Sequence, residues 1–259
     1  MKLQIIPAKQ GVQWVKLGMR TFFRQPLALS GLFFLFMAVM SILSIVPILG
    51  NVLALTLLPG VTLGLMAATK EAGGGKFPMP LVLISAFRAG RQQLRAMLVL
   101  GGLYALGFLS VLGVSALVDG GQFAKLYLVG GALTPELAQD SNFQTAILVA
   151  MVLYMPLSLL FWHAPALVHW HGISPVKSLF FSFIACFRNF GAFTVYGLVW
   201  LGAFMLMGMV VASLAALTGS AELVTATLFP SALLMAAMFF TSIYFTFLDS
   251  FETSSGENP

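Results

Sequence analysis

The sequence predicts an all-α fold: a polytopic membrane helix bundle with six transmembrane helices and cytoplasmic interfacial amphipathic helices. Three observations predict it. Only 13 Lys and Arg and 8 Asp and Glu occur in 259 residues, and 59% of the chain is hydrophobic. The few charges are separated by long uncharged windows. Almost all of the basic ones fall on one side of the spans those windows imply. A soluble domain carries roughly 25% charged residues; at 8% this chain cannot cover a soluble fold with a charged skin. That excludes an ordinary soluble enzyme and a disordered protein. It also excludes a nucleic-acid binder, despite a pI near 9.6.

The windows place the spans. Uncharged runs of 45, 23, 36, 33 and 26 residues separate Arg24 from Lys70, Arg95 from Asp119, Asp140 from Lys177, Arg188 from Glu222 and Glu222 from Asp249. A helix needs about 20 apolar residues to cross about 30 Å of hydrocarbon. The longest run holds two helices, hinged near Pro47–Asn51, and the others hold one each. The spans are expected near 27–46, 50–69, 96–118, 144–169, 191–217 and 223–248, in a single membrane domain over 1–259. Strands of a lipid-facing barrel would alternate apolar and polar residues. The run Leu32-Phe33-Phe34-Leu35-Phe36-Met37 does not alternate, so helices are expected. The first apolar run, behind a basic N-terminal segment, reads as a retained helix rather than a cleaved signal. The tail over 250–259 reads as disordered, and Ala72-Gly73-Gly74-Gly75-Lys76 as a flexible linker.

Basic residues set the expected orientation. Lys2, Lys9, Lys16, Arg20, Arg24, Lys70, Lys76, Arg88, Arg91, Arg95, Lys177 and Arg188 share one side, and Lys125 alone stands on the other. Both termini are therefore expected in the cytoplasm, as an even number of spans requires. On that side three segments, 9–25, 80–95 and 174–190, end in or near Phe23-Arg24, Phe87-Arg88 and Phe187-Arg188. In the first, Lys9, Gln13, Lys16, Arg20 and Arg24 line one helical face opposite Val12, Trp14, Val15, Met19, Phe22 and Phe23. In the second, Arg88, Arg91 and Arg95 align. Basic amphipathic helices of this kind lie beside anionic head groups. Lys9, Lys16, Arg20, Arg24, Arg88, Arg91 and Arg95 are thus the candidate lipid contacts. The order suggests three copies of one unit, an interfacial helix followed by a span in and a span back.

Material for catalysis is thin. The eight acidic residues lie in loops, at span ends or in the tail, and no phosphate-binding loop, nucleophile elbow or zinc-helix motif occurs. The single Cys186 excludes an internal disulfide and most thiolate metal sites. His163, His169 and His171 share a strip with Trp162 and Trp170. Their spacings of six and two residues oppose them on a helix, whereas a helical zinc pair wants a spacing near four. An aromatic and histidine belt at the head groups is the leading reading, with ligand binding and proton handling as alternatives. Gly60 and Gly64 form a GxxxG behind Pro59, which reads as a kink packed inside the bundle or as the edge of a substrate gap.

The residues Gln10-Gly11-Val12-Gln13-Trp14, Gly18, Phe23-Arg24-Gln25-Pro26, Pro47, Gly50, Pro59, Gly64, Ala164-Pro165-Ala166-Leu167 and Arg188-Asn189 carry a resemblance. The chain resembles an uncharacterised family of betaproteobacterial polytopic inner-membrane proteins. More distantly it is similar to the membrane domain found beside bacterial glycerophosphodiester phosphodiesterases. The resemblance implies a bacterial inner membrane and transfers no catalytic residue. The expected function is a non-enzymatic membrane scaffold or accessory protein that contacts anionic lipid or a membrane-protein partner, with no cofactor and no nucleic acid. The alternative is a channel or permease for a small or lipid-like solute, through a gap lined by Pro59, Gly60, Gly64, Pro156 and Pro165. A membrane enzyme using the His strip is the third reading.

Overall fold

The computed structural model describes residues 2–219 and 221–251, without the side chains of residues 221, 223 and 225. Most of the tail expected to be disordered lies outside the described residues. In chain order the helices are α1 (Gln10–Arg24), α2 (Pro26–Ser44), α3 (Leu49–Gly73), a 3₁₀ turn at Pro80–Ile84, α4 (Ser85–Arg88), α5 (Arg91–Asp119), α6 (Gln122–Val129), α7 (Pro135–Gln139), α8 (Ser141–Phe161), α9 (Ala164–His171), α10 (Pro175–Arg188), α11 (Phe190–Thr218) and α12 (Ala221–Ser250). Among the described residues there is no strand, only an isolated antiparallel bridge between Leu3 and Phe251. Six helical stretches are long and apolar enough to cross a bilayer: Pro26–Ser44, Leu49–Gly73, Arg91–Asp119, Ser141–His171, Phe190–Thr218 and Ala226–Ser250. The molecule is an all-α polytopic bundle.

Two segments differ from the sequence expectation. The second interfacial segment, 80–95, is not one helix. Gly90 takes φ +107°, a conformation that L side chains rarely adopt, and divides α4 from α5. Arg91 and Arg95 therefore open a membrane-crossing helix instead of closing an interfacial one. The fourth span, expected as one helix over 144–169, is broken between α8 and α9 at Trp162-His163. Pro165 supplies no N–H for the Phe161 carbonyl, and its ring crowds that carbonyl, so the helix cannot run straight through.

The chain divides into two compact units. The first holds the described residues of Met1–Phe34, Gly64–Leu83 and Ala185–Pro259. Here α1 packs against α11 and α12. Its apolar face buries Trp14, Val15 and Phe22, while Lys9, Lys16, Arg20 and Arg24 stay exposed. Burying such side chains is worth about 1.5–3 kcal/mol each. The approach is close because two glycines carry it. A Cβ on Gly11 would strike the Ala192 carbonyl oxygen and come within 2.6 Å of the Tyr196 nitrogen. One on Gly18 would strike the Ser242 side chain.

The second unit comprises Leu35–Leu63 and Ile84–Ile184. Its axis is the pair α5 and α8, with α4, α6 and α9 packed on α5. After Asp119 the chain turns through Gly120 and Gly121, both at positive φ, and α6 folds back beside α5. Asp119 is buried and fixes this turn: Oδ1 accepts from Gly121 N at 2.8 Å and Oδ2 from Phe123 N at 2.7 Å. The far end of α6 is tied to the hinge between α2 and α3. The Leu128 carbonyl accepts from Ile48 N at 2.8 Å and from Asn51 Nδ2 at 2.9 Å. Ile48 holds φ +60°, a strained value for a β-branched residue. Asp140 caps α8 through Phe143 N at 2.7 Å, and Thr134 caps α7. Glu136 follows in the first turn of α7, where its own backbone N–H and the Thr134 hydroxyl hold its carboxyl below the usual range.

The close approach of α1 makes a measurable claim. Gly11→Leu should destabilise the protein by about 1–3 kcal/mol through overpacking. Gly197→Leu, at a glycine with nothing within 4 Å, should change stability little. Thermal unfolding in detergent, followed by tryptophan fluorescence, tests this; equal melting of the two variants would contradict the packing.

Candidate functional site

Three groups of residues stand out in the sequence, and the structure places them in different settings. The candidate lipid contacts come first. Lys9, Lys16, Arg20 and Arg24 project from α1, and Arg88, Arg91 and Arg95 from the end of α4 and the start of α5; all seven are exposed. Arg24 donates from Nη1 to the Gly73 carbonyl at 3.4 Å, placing a cation at the C-terminal end of α3. At α5 the polarity is reversed. The helix starts without a side-chain cap and has no acidic residue in its first turn, yet carries Arg91 at its first position and Arg95 one turn on. Cations at a helix N-terminus oppose the dipole by about 0.3–1 kcal/mol each. They do not serve the helix, and together with its free N–H groups they favour an anion at that end.

The second group is the kink. Pro59, Gly60 and Gly64 are buried within α3. In the second unit the ring of Phe87 occupies the space beside Gly60, where an added Cβ would collide with it. In the first unit the Leu83 backbone lies as close to Gly64, about 2.7 Å from such a Cβ at its carbonyl carbon. The GxxxG face is thus covered by the 80–88 segment rather than facing another span, and it is filled rather than open. Pro156 is exposed on α8.

The third group is the histidine strip. His163 is buried at the N-cap of α9, while His169 and His171 are half-buried in its last turn. Pro165 sits at the second position of α9. The break before it is spliced by Ser182 of α10. In an unbroken helix His163 N would donate to the Leu159 carbonyl, four residues back. Instead His163 N donates to Ser182 Oγ at 2.9 Å, and Ser182 Oγ donates to Leu159 O at 2.8 Å. A hydroxyl has entered the backbone ladder. Among the described residues no group of three or more His, Cys, Asp or Glu is arranged to hold a metal ion. The ring of His169 packs edge-on to Trp170 at 6.4 Å.

Sequence reasoning missed a polar knot in the first unit. Buried Asn189, at the N-cap of α11, accepts from Ile6 N at 2.8 Å and donates to the Gln4 carbonyl at 3.0 Å. Gln4 N donates to the Ser250 carbonyl at 3.1 Å. Asp249 Oδ2 accepts from Gln10 Nε2 at 2.7 Å and Trp14 Nε1 at 2.8 Å. The only available signal was that Trp14 needs an acceptor for its indole N–H once buried; its partner lies 235 positions away. Nearby, Ser242 Oγ takes Trp200 Nε1 at 3.2 Å and lies 2.7 Å from the Tyr196 hydroxyl, satisfying polar groups inside the spans.

Asn189→Ala should remove two long-range, part-buried hydrogen bonds, to Ile6 N and the Gln4 carbonyl, and cost about 1–3 kcal/mol. Thermal melting of the variant tests this, and an unchanged midpoint would show that the N-terminal segment is not held by Asn189. Cys186 is buried, and burial pushes its thiol up to about 12. Raising the pH from 7 to 9 should therefore leave its alkylation slow, whereas an ordinary thiol near 8.5 would become largely thiolate. Iodoacetamide labelling before and after denaturation reads this out; fast labelling of the folded protein at pH 9 would refute it.

No family model and no solved structure matches the chain. A protein of Burkholderia thailandensis described as a probable inner membrane protein is 43% identical over 203 residues, covering 77% of this chain and 75% of that protein. With this degree of identity over three quarters of both sequences, and six helices able to span a bilayer, the chain belongs to the family of that probable inner membrane protein.

Proposed function

We propose that this chain is a non-enzymatic scaffold or accessory protein of the bacterial inner membrane, multi-pass with both termini cytoplasmic, which holds anionic lipid or a membrane-protein partner at its basic face. The start of α5 carries this reading. Arg88, Arg91 and Arg95 are exposed around an uncapped helix N-terminus, where they cost the helix stability and suit a phosphate-bearing head group. The exposed row on α1 adds Lys9, Lys16, Arg20 and Arg24. The twelve basic residues on one side favour the cytoplasmic orientation through the positive-inside rule.

The channel or permease reading draws less support, since Phe87 and Leu83 fill the space at Gly60 and Gly64. The enzyme reading also draws less support, since the histidines are spaced along a broken helix.

A basic side chain near an anionic surface contributes about 1 kcal/mol. Changing Arg88, Arg91 and Arg95 together to Gln should therefore lower the share of phosphatidylglycerol and cardiolipin that co-purifies, by severalfold relative to phosphatidylethanolamine. Head-group analysis of lipid extracted with the purified protein measures it. An unchanged ratio would remove the proposal.

A further inference from the structure

Three phenol hydroxyls converge inside the second unit from helices far apart in sequence. Tyr104 is buried on α5, thirteen residues beyond Arg91 and fifteen before Asp119, close to the middle of a membrane-crossing helix. Its hydroxyl lies 3.2 Å from that of Tyr154 on α8. Tyr127 comes from α6, the helix that folds back beside α5. One ring joins them: Phe108 packs 5.0 Å from Tyr127, 5.9 Å from Tyr154 and 6.3 Å from Tyr104, centroid to centroid. Tyr127 and Tyr154 are also close enough for burial and the Tyr154 phenol together to push the Tyr127 hydroxyl up.

The hydrogen bookkeeping does not close. Three hydroxyls bring three O–H donors. The Tyr104–Tyr154 bond uses one, and among the described residues no other hydrogen bond engages these hydroxyls. In water this would mean nothing. In hydrocarbon an O–H without an acceptor costs several kcal/mol by transfer measures, about 4–8 into an alkane. The cluster is also held in place rather than incidental. Asp119 caps α6 at one end, and the bonds from Ile48 N and Asn51 Nδ2 to Leu128 anchor the other. Tyr127 and Tyr154 are 42% and 38% exposed, so the cluster opens sideways rather than into a sealed core.

We infer that α5, α6 and α8 form a laterally open binding site for a neutral, membrane-dissolved molecule bearing carbonyl oxygens, which accept from the Tyr127 and Tyr154 hydroxyls while its apolar body lies against Phe108. The absence of charged groups among these ring partners selects a neutral ligand, and the spare groups are donors, so the ligand supplies acceptors. Two membrane-dissolved sources share that chemistry: the ester carbonyls of a lipid and the ring carbonyls of a quinone. The site goes beyond the proposed scaffold role and does not depend on the basic face.

Equilibrium dialysis of the full chain in detergent micelles tests it with two probes, tritiated dioctanoylglycerol and tritiated decylubiquinone. Each is paired with a carbonyl-free analogue, a diether for the diester and an alkylated methoxybenzene for the quinone. Saturable binding of one or both probes is expected, with the analogue about tenfold weaker, the scale of one or two lost hydrogen bonds. The double variant Tyr127→Phe with Tyr154→Phe, which removes only oxygens, should weaken the same probe by a similar factor. Binding of the diester alone assigns lipid ester, and of the quinone alone assigns quinone; both results support the site. Failure of both probes to saturate overturns it. A probe held no better than its carbonyl-free analogue by the unaltered chain also overturns it, and that comparison needs no variant to fold.

Discussion

In hydrocarbon a backbone N–H or C=O that leaves its helix has no water to turn to, and the rest of this structure depends on how that constraint is met. The chain breaks its helices in several places, and at three of them the freed backbone groups meet a specific partner. At Trp162-His163 the hydroxyl of Ser182 reaches in from α10 and carries the bond from His163 N to Leu159 O. At the Gly120-Gly121 turn the carboxylate of Asp119 takes two of the exposed N–H groups of α6. At the α2–α3 hinge the Leu128 carbonyl takes Ile48 N, which holds that residue in a strained conformation. Ser182 and Asp119 thus serve joints of the backbone.

The same economy shapes α1. An amphipathic helix has one apolar face to bury, and lipid or protein can cover it. Here protein covers it: Gly11 and Gly18 let α1 close against α11 and α12, and Trp14 finds an acceptor in Asp249. The helix is then fixed by the first unit, with Trp14, Val15 and Phe22 buried and its basic row exposed beside Met19 and Phe23. A membrane-surface helix that is free to roll and one that is bolted to a bundle present the same sequence period. They differ in what they can do. The bolted helix offers a fixed line of positive charge, whereas the free one can turn its apolar face into the lipid.

Much of the fold was legible because membrane spans are a property of composition over 20 residues, and composition survives without contacts. The uncharged windows from Arg95 to Asp119 and from Arg188 to Glu222 fall within a few residues of α5 and α11. What was not legible depended on single residues acting at a distance. Gly90 looks like any other of the 25 glycines until its φ of +107° separates Arg88 from Arg91. Pro165 announced a distortion, yet the splice by Ser182 could not be read from a residue seventeen positions later. Asp119 and Asp140 read as loop charges in the sequence, and in the structure each is a cap. Asn189 and Asp249, which tie the two ends of the described chain together, lie 183 and 235 positions from partners they hold.

The interior and the rim thus differ in the kind of polarity they keep, and that difference limits the chemistry open to each. Hydrogen bonds between spans use hydroxyl and indole groups: Tyr196, Trp200 and Ser242 in the first unit, Tyr104 and Tyr154 in the second. Such groups bind and orient through hydrogen bonds but cannot neutralise an ion, so a charged solute would meet a desolvation cost there with nothing to offset it. The exposed arginines at the start of α5 have the opposite character. They suit an anion and offer little to a neutral molecule.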